Sequence, residues 1–230
     1  MIFTRNPGRT AGLLYLMGSI PGFFALLYVP SKLFVRGNPV ATAHNIAAHE
    51  LLFRGGIFAS LIGQASFIIV ALALYQLLKG VDRRYAASMV ILITVPVPIA
   101  FVNELNSFAA LLLARGSNLL SVVDESQRIA WMRFFLDLRG AGYDLAGIFW
   151  GLWLFPLGLL VYRSGFIPKL LGILLIAGCF AYLANSFASL VVPTLADVVA
   201  RWMNPVQLVE MVFMLWLLIR GAVPPKLESR

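Results

Sequence analysis

The chain has 230 residues, of which 60% are hydrophobic and 12% charged, with a formal net charge of +8 at pH 7 and a mean hydropathy of +0.88. A soluble domain carries roughly 25% charged and about 45–50% apolar residues, so a water-facing globule is excluded and lipid-facing surface is expected, because hydrocarbon penalises exposed polar groups. The basic residues fall in short turns between apolar runs and do not interleave with aromatics, which argues against nucleic acid and for topology signals and anionic lipid.

In chain order, Arg5 and Arg9 precede an apolar run over 11–29. That run exceeds the roughly 7–15 residues of a signal peptide's apolar region, and no small-x-small cleavage pair follows. An uncleaved helix over 10–30 is predicted, then an outer connection over 31–46. A helix over 53–78 leads into the basic turn Lys79-Gly80-Val81-Asp82-Arg83-Arg84. The next span covers 85–113, and Pro96 and Pro98 should kink it. A polar outer connection over 116–127 precedes a long span, 128–162, about 50 Å if continuous. The basic turn 163–169 then leads to spans over 168–192 and 203–220. Each has room for the about 20 apolar residues a crossing needs. The expectation is one all-α transmembrane domain over 1–230, a polytopic bundle of about six helices, some extending beyond the bilayer on the outer side.

With six crossings, Arg5, Arg9, Lys79, Arg83, Arg84, Arg163, Lys169, Arg220, Lys226 and Arg230 share one side, ten of the 18 Lys and Arg. Lys and Arg excess marks the cytoplasm, so both termini are expected there. The margin widens if Arg54, Arg133 and Arg139 belong to helices.

Five of the ten acids, Glu50, Glu104, Asp137, Asp144 and Glu210, lie in or beside predicted helices. An acid at the bilayer centre costs roughly 2.5–3.5 kcal/mol on insertion scales, so these must face protein, water or a basic partner. Helical rise sets their depth: Gln64 lies about 22 Å from Lys79, Asn103, Glu104 and Asn106 about 30 Å from Arg84, Asn185 and Ser186 about 25 Å from Lys169, and Glu210 about 15 Å from Arg220. The inner halves are apolar and the outer halves polar. Glu50 and Arg54 are four apart, Gln207 and Glu210 three apart, and Arg133, Asp137, Gly140 and Asp144 form one helical stripe. These positions suggest a polar vestibule open to the outside, with Glu210 at its floor. Its expected ligand-binding residues are Glu50, Arg54, Asn103, Asn106, Arg133, Asp137, Tyr143, Asn185, Ser186 and Glu210.

A plainer reading has the charged residues near helix ends pairing in the headgroups, and the amides acting as interhelical glue worth about 0.6 kcal/mol each. Glu210 could equally be protonated and hydrogen-bonded. Trp131, Trp202 and Tyr143 at the outer boundary and Tyr75 and Tyr162 at the inner one read as an interfacial belt. Trp150 and Trp153 lie deeper and read as packing residues.

Other chemistries find little footing. His44 and His49 are five apart, unlike the i, i+4 pair of metalloprotease helices. There is no CxxC, and Cys179 lies in an apolar run as a small core residue. No metal or cofactor is expected. No GxSxG occurs, and no catalytic residue is assigned. Three functions remain: binding a small or amphipathic molecule or lipid for sensing or transport; a lipid-acting enzyme using carboxyl acid–base chemistry at Glu210 and Asp137; or a structural subunit of a membrane complex.

The stretches AHELLFRGGI (48–57), VPIAFVNELNSFAALLLA (97–114), FLDLRGAGYDLAGIFWGLWLFPLGLLVYRSGFIPKLLGILL (135–175), YLANSFASLVVP (182–193) and EMVFMLWLLIRG (210–221) together resemble a bacterial membrane family, domain of unknown function 4386. The resemblance implies a bacterial inner-membrane location. It also implies polar residues at Glu50, Arg54, Asn103, Asn106, Asp137, Tyr143, Ser186 and Glu210. The sequence departs from the family pattern at Arg139, where histidine is common, and at Glu104, where an apolar residue is common. The resemblance implies no particular activity.

Overall fold

A computed structural model describes residues 6–116 and 123–225. Every regular element among them is helical. In order these are α1 (Pro7–Phe23), a π-helical turn (Phe24–Tyr28), α2 (Val29–Leu33), α3 (Pro39–Ala48), α4 (Glu50–Leu78), α5 (Arg83–Thr94), α6 (Pro96–Arg115), α7 (Glu125–Leu152), α8 (Leu154–Arg163), α9 (Lys169–Val191), a 3₁₀ turn (Pro193–Leu195), α10 (Ala196–Gln207) and α11 (Val209–Arg220). Read through their short breaks, they make six helical runs long and apolar enough to cross a bilayer: Pro7–Leu33, Glu50–Leu78, Arg83–Arg115, Glu125–Arg163, Lys169–Val191 and Pro193–Arg220. The chain is a multi-pass, all-α integral membrane protein, as its hydropathy predicts.

Proline places several of the breaks. It has no N–H to donate to the carbonyl four residues back, and its ring crowds that carbonyl. Pro156 thus frees Leu152, and the helix interrupts at Trp153 between α7 and α8. Pro96 acts likewise at Val95, between α5 and α6. Pro21 precedes the π-helical turn, an irregularity that frequently marks such bends. The last crossing divides at Leu208, whose N–H turns back to the Pro205 carbonyl at 3.3 Å.

Polar caps set the turns. Asp82 accepts from the N–H groups of Arg84 and Tyr85 at 2.9 and 3.2 Å and starts α5. Before α7, the Ser126 hydroxyl and the Gln127 N–H hold the Asp124 carboxyl below its ordinary value. The connection expected over 31–46 contains a helix, α3. Its start is written as Asn38-Pro39: the Asn38 side chain accepts from the Ala41 N–H at 2.9 Å, and proline fits the first helical position. Half of the connection expected over 116–127, residues 117–122, lies outside the described residues, as do Arg5, Lys226 and Arg230.

The chain packs into two compact units. The first takes the residues up to Gly18, Ala65–Val97 and everything from Asp144; the second takes Ser19–Gln64 and Pro98–Tyr143. Leu74, Leu78, Met89, Trp153, Leu157, Phe213 and Leu217 centre the core of the first. Leu33, Ile46, Phe53, Ile57, Leu111 and Met132 centre that of the second.

Within the first unit the start of α1 meets the end of α11. The Gly8 N–H donates to the Ala222 carbonyl at 2.9 Å, and Asn6 Oδ1 accepts from the Ala222 N–H at 3.0 Å. Arg9 Nη2 donates to the Ile219 carbonyl at 3.1 Å, satisfying one of the carbonyls a helix C-terminus leaves open. Gly12 permits the approach, since a Cβ there would fall 2.6 Å from the Leu218 nitrogen.

Candidate functional site

Each unit carries its own polar network. In the second unit it centres on Glu104 of α6, which is 1% exposed. Glu104 Oε1 accepts from the Tyr143 hydroxyl at 2.6 Å and Oε2 from the Ser107 hydroxyl at 2.6 Å. Arg139 of α7 lies 3.7 Å from the same carboxylate. It donates to Tyr143 Oη at 3.3 Å, with its guanidinium 4.8 Å from the ring centroid. Ser60 of α4 meets the Tyr143 hydroxyl at 2.9 Å. Asn103 donates to the Arg139 carbonyl at 2.9 Å and accepts from Asn106 at 3.0 Å. Gly142 leaves the space that the Asn103 amide occupies. The charge here is compensated and both carboxylate oxygens have donors, so the network ties α4, α6 and α7 together.

Other charges of this unit pair nearer its surface. Arg54 and Arg115 both contact Glu50, at 2.7 and 3.1 Å. Arg133 and Asp137 form an i, i+4 pair at 2.8 Å, with side chains 56% and 58% exposed. Exposed pairs of this kind contribute little.

The first unit differs. Tyr182, Asn185, Ser186 and Ser189 stand at i, i+3, i+4 and i+7 on α9, and that spacing aligns them in one stripe about 10 Å long. Each has a polar or tightly packed partner. Tyr182 approaches the Glu210 carboxyl of α11, which also accepts from the Tyr15 hydroxyl at 2.5 Å. Asn185 donates to Asn204 Oδ1 of α10 at 2.7 Å. Its own Oδ1 is buried and has no hydrogen-bond partner. Ser186 is 3% exposed and lies against Gly147 of α7. Ser189 donates to Asp144 of α7.

The register explains how α7 receives this stripe. Asp144 faces Ser189, Gly147 faces Ser186 and Gly151 faces Tyr182, an antiparallel pairing that steps together along both helices. A Cβ would sit 2.9 Å from Ser186 Oγ at Gly147, and 2.8 Å from Tyr182 Cβ and 3.0 Å from the Cys179 carbonyl at Gly151. Small residues four apart let membrane helices approach closely. Beside Glu210, Tyr15 packs edge-on to Phe67 at 5.5 Å and tilted to Trp153 at 6.2 Å between centroids.

By their contacts the expected site residues group as Glu50 with Arg54, Arg133 with Asp137, Asn103, Asn106 and Tyr143 around Glu104, and Asn185 and Ser186 of α9 in one stripe with Tyr182, which approaches Glu210 of α11. Sequence reasoning passed over Tyr15, Tyr182, Ser189 and Asn204. The signal for Tyr182 and Ser189 was present in the heptad-like spacing of polar residues on an otherwise apolar helix. Nothing local marks Tyr15 as the partner of a residue 195 positions away.

The profile of the domain of unknown function DUF4386 matches residues 10–221. No curated protein and no solved structure matches the chain.

Proposed function

The chain belongs to the DUF4386 family of domains of unknown function, and from that premise we propose that it binds a small or amphipathic molecule, for sensing or transport, along the polar stripe of α9. Glu210, Asn185 and Ser186 of the expected set line this site, joined by Asp144, Tyr182 and Ser189.

One contrast carries the proposal. In the second unit, Glu50, Glu104 and Asp137 each have an arginine partner. In the first unit, no ion pair among the described residues includes Glu210 or Asp144, although both lie in spans. An ionisable group placed there without a countercharge is costly, and such groups mark binding sites and ion paths. By helical rise, Glu210 lies about 15 Å from Arg220 and Ser189 about 30 Å from Lys169. The stripe thus runs from mid-membrane toward the side opposite the termini.

We place the protein in a bacterial cytoplasmic membrane with both termini cytoplasmic. The supporting bias is that of Lys and Arg, and Arg54, Arg133 and Arg139 belong to α4 and α7 rather than to loops, which removes them from the opposing count.

Native mass spectrometry of protein released from nanodiscs made with cell lipid tests the binding. The expected result is an adduct retained by the wild type and lost from Glu210→Gln. Bare protein mass in both contradicts the proposal.

A further inference from the structure

We propose that the group bound along α9 is a protonated primary amine, carried either by a lipid headgroup or by a free amphipathic amine. This rests on the binding role just proposed, and it adds the chemical class.

A carboxyl that pairs with a bound cation does so as the carboxylate, which has only acceptor capacity, about four lone-pair sites. Glu210 is met by two phenols, Tyr15 and Tyr182, and Asp144 by the Ser189 hydroxyl. Between them along the stripe, Asn185 Oδ1 is a third acceptor, buried and without a donor. Among the described residues no arginine or lysine forms an ion pair with Glu210 or Asp144, in contrast to Glu104, which has Arg139. A ligand completing this stripe must bring donors and positive charge.

An ammonium brings three N–H donors and one charge. An anionic head placed at either carboxylate would be repelled in a medium where like charges interact strongly. A neutral hydroxyl supplies one donor and no countercharge. A quaternary ammonium supplies charge but no N–H, and leaves Asn185 Oδ1 unsatisfied. The Tyr15, Phe67 and Trp153 cluster beside Glu210 adds electron-rich rings, which favour cations over anions.

The test uses the full chain in nanodiscs of phosphatidylcholine and phosphatidylglycerol, which contain no primary amine. Four probes share one alkyl chain: dodecylamine, dodecyltrimethylammonium, dodecanol and dodecanoate. Native mass spectrometry and thermal unfolding read their binding. Dodecylamine is expected to bind about tenfold or more tighter than the other three, the worth of one charge-assisted hydrogen bond. Glu210→Gln should erase that advantage and leave dodecanol unchanged. Asp144→Asn, a second variant at the far end of the stripe, should reduce it several-fold.

Adding phosphatidylethanolamine to the discs separates the two sources. Competition with dodecylamine identifies a lipid headgroup, and its absence identifies a free amine. Equal binding of dodecanol or dodecanoate by the wild type overturns the amine assignment and leaves the binding role standing. No binding of any probe, with no adduct from cell lipid, overturns both.

Discussion

Glu104 and Arg139, on α6 and α7, are partners in space. Glu104 is almost fully enclosed and the Arg139 side chain is 13% exposed. Breaking such a pair from one side strands a charge, at a cost of about 3–5 kcal/mol, whereas replacing both partners with apolar groups is often neutral. Arg139→Met and Glu104→Leu should each lower stability to unfolding in mixed micelles by about that amount, and the double variant should recover most of the loss. Additive losses would mean that the pairing is incidental. The two charged residues were legible in the sequence one at a time. Their coupling was not, because 35 positions separate them and a hydropathy pattern carries no pairing information.

Among the elements, α7 and α9 fix the geometry of the proposed site. Their contact depends on Gly147 and Gly151, and the stripe they enclose depends on polar residues repeating every three or four positions. Gly151→Val would drive a branched side chain into Tyr182 and the Cys179 carbonyl. Overpacking of this kind costs about 1–3 kcal/mol, and here it should also weaken ligand retention by pushing Tyr182 off Glu210. Gly140→Val, at a glycine with nothing within 4 Å of the added carbon, is the control and should leave retention unchanged. Thermal unfolding and adduct mass, measured on both variants, check this. The helical spans were legible because about 20 apolar residues in succession have few other uses. Short and amphipathic pieces were not: α3 hides in a stretch that reads as a connection, and α10 in polar residues just ahead of the last apolar run. The Asn38 cap sets α3 and contact with α9 holds α10, and a hydropathy window averages both away.

Taken whole, the molecule divides its ionisable residues between two chemistries. In the second unit Glu50, Glu104 and Asp137 are paired with arginine, whereas in the first Glu210 and Asp144 are met by hydroxyl donors. Sequence reasoning could count the charges in the spans but not assign their partners, and that assignment separates structural groups from candidate binding groups. The account rests on α9 bearing a hydrophilic stripe open to a ligand from the side opposite the termini.

Substituted-cysteine labelling tests that directly, since Cys179 is the sole cysteine and Cys179→Ala supplies the background. Single cysteines would replace Asn185 on the stripe, Phe187 on an exposed face of α9, where it is 60% exposed, Arg36 between α2 and α3, and Gly80 between α4 and α5. A membrane-impermeant thiol reagent is added to intact spheroplasts. Arg36→Cys and Asn185→Cys are predicted to react, Phe187→Cys and Gly80→Cys to stay silent, and dodecylamine to protect Asn185→Cys. Asn185→Cys reacting no faster than Phe187→Cys, while Arg36→Cys reacts, would contradict the account.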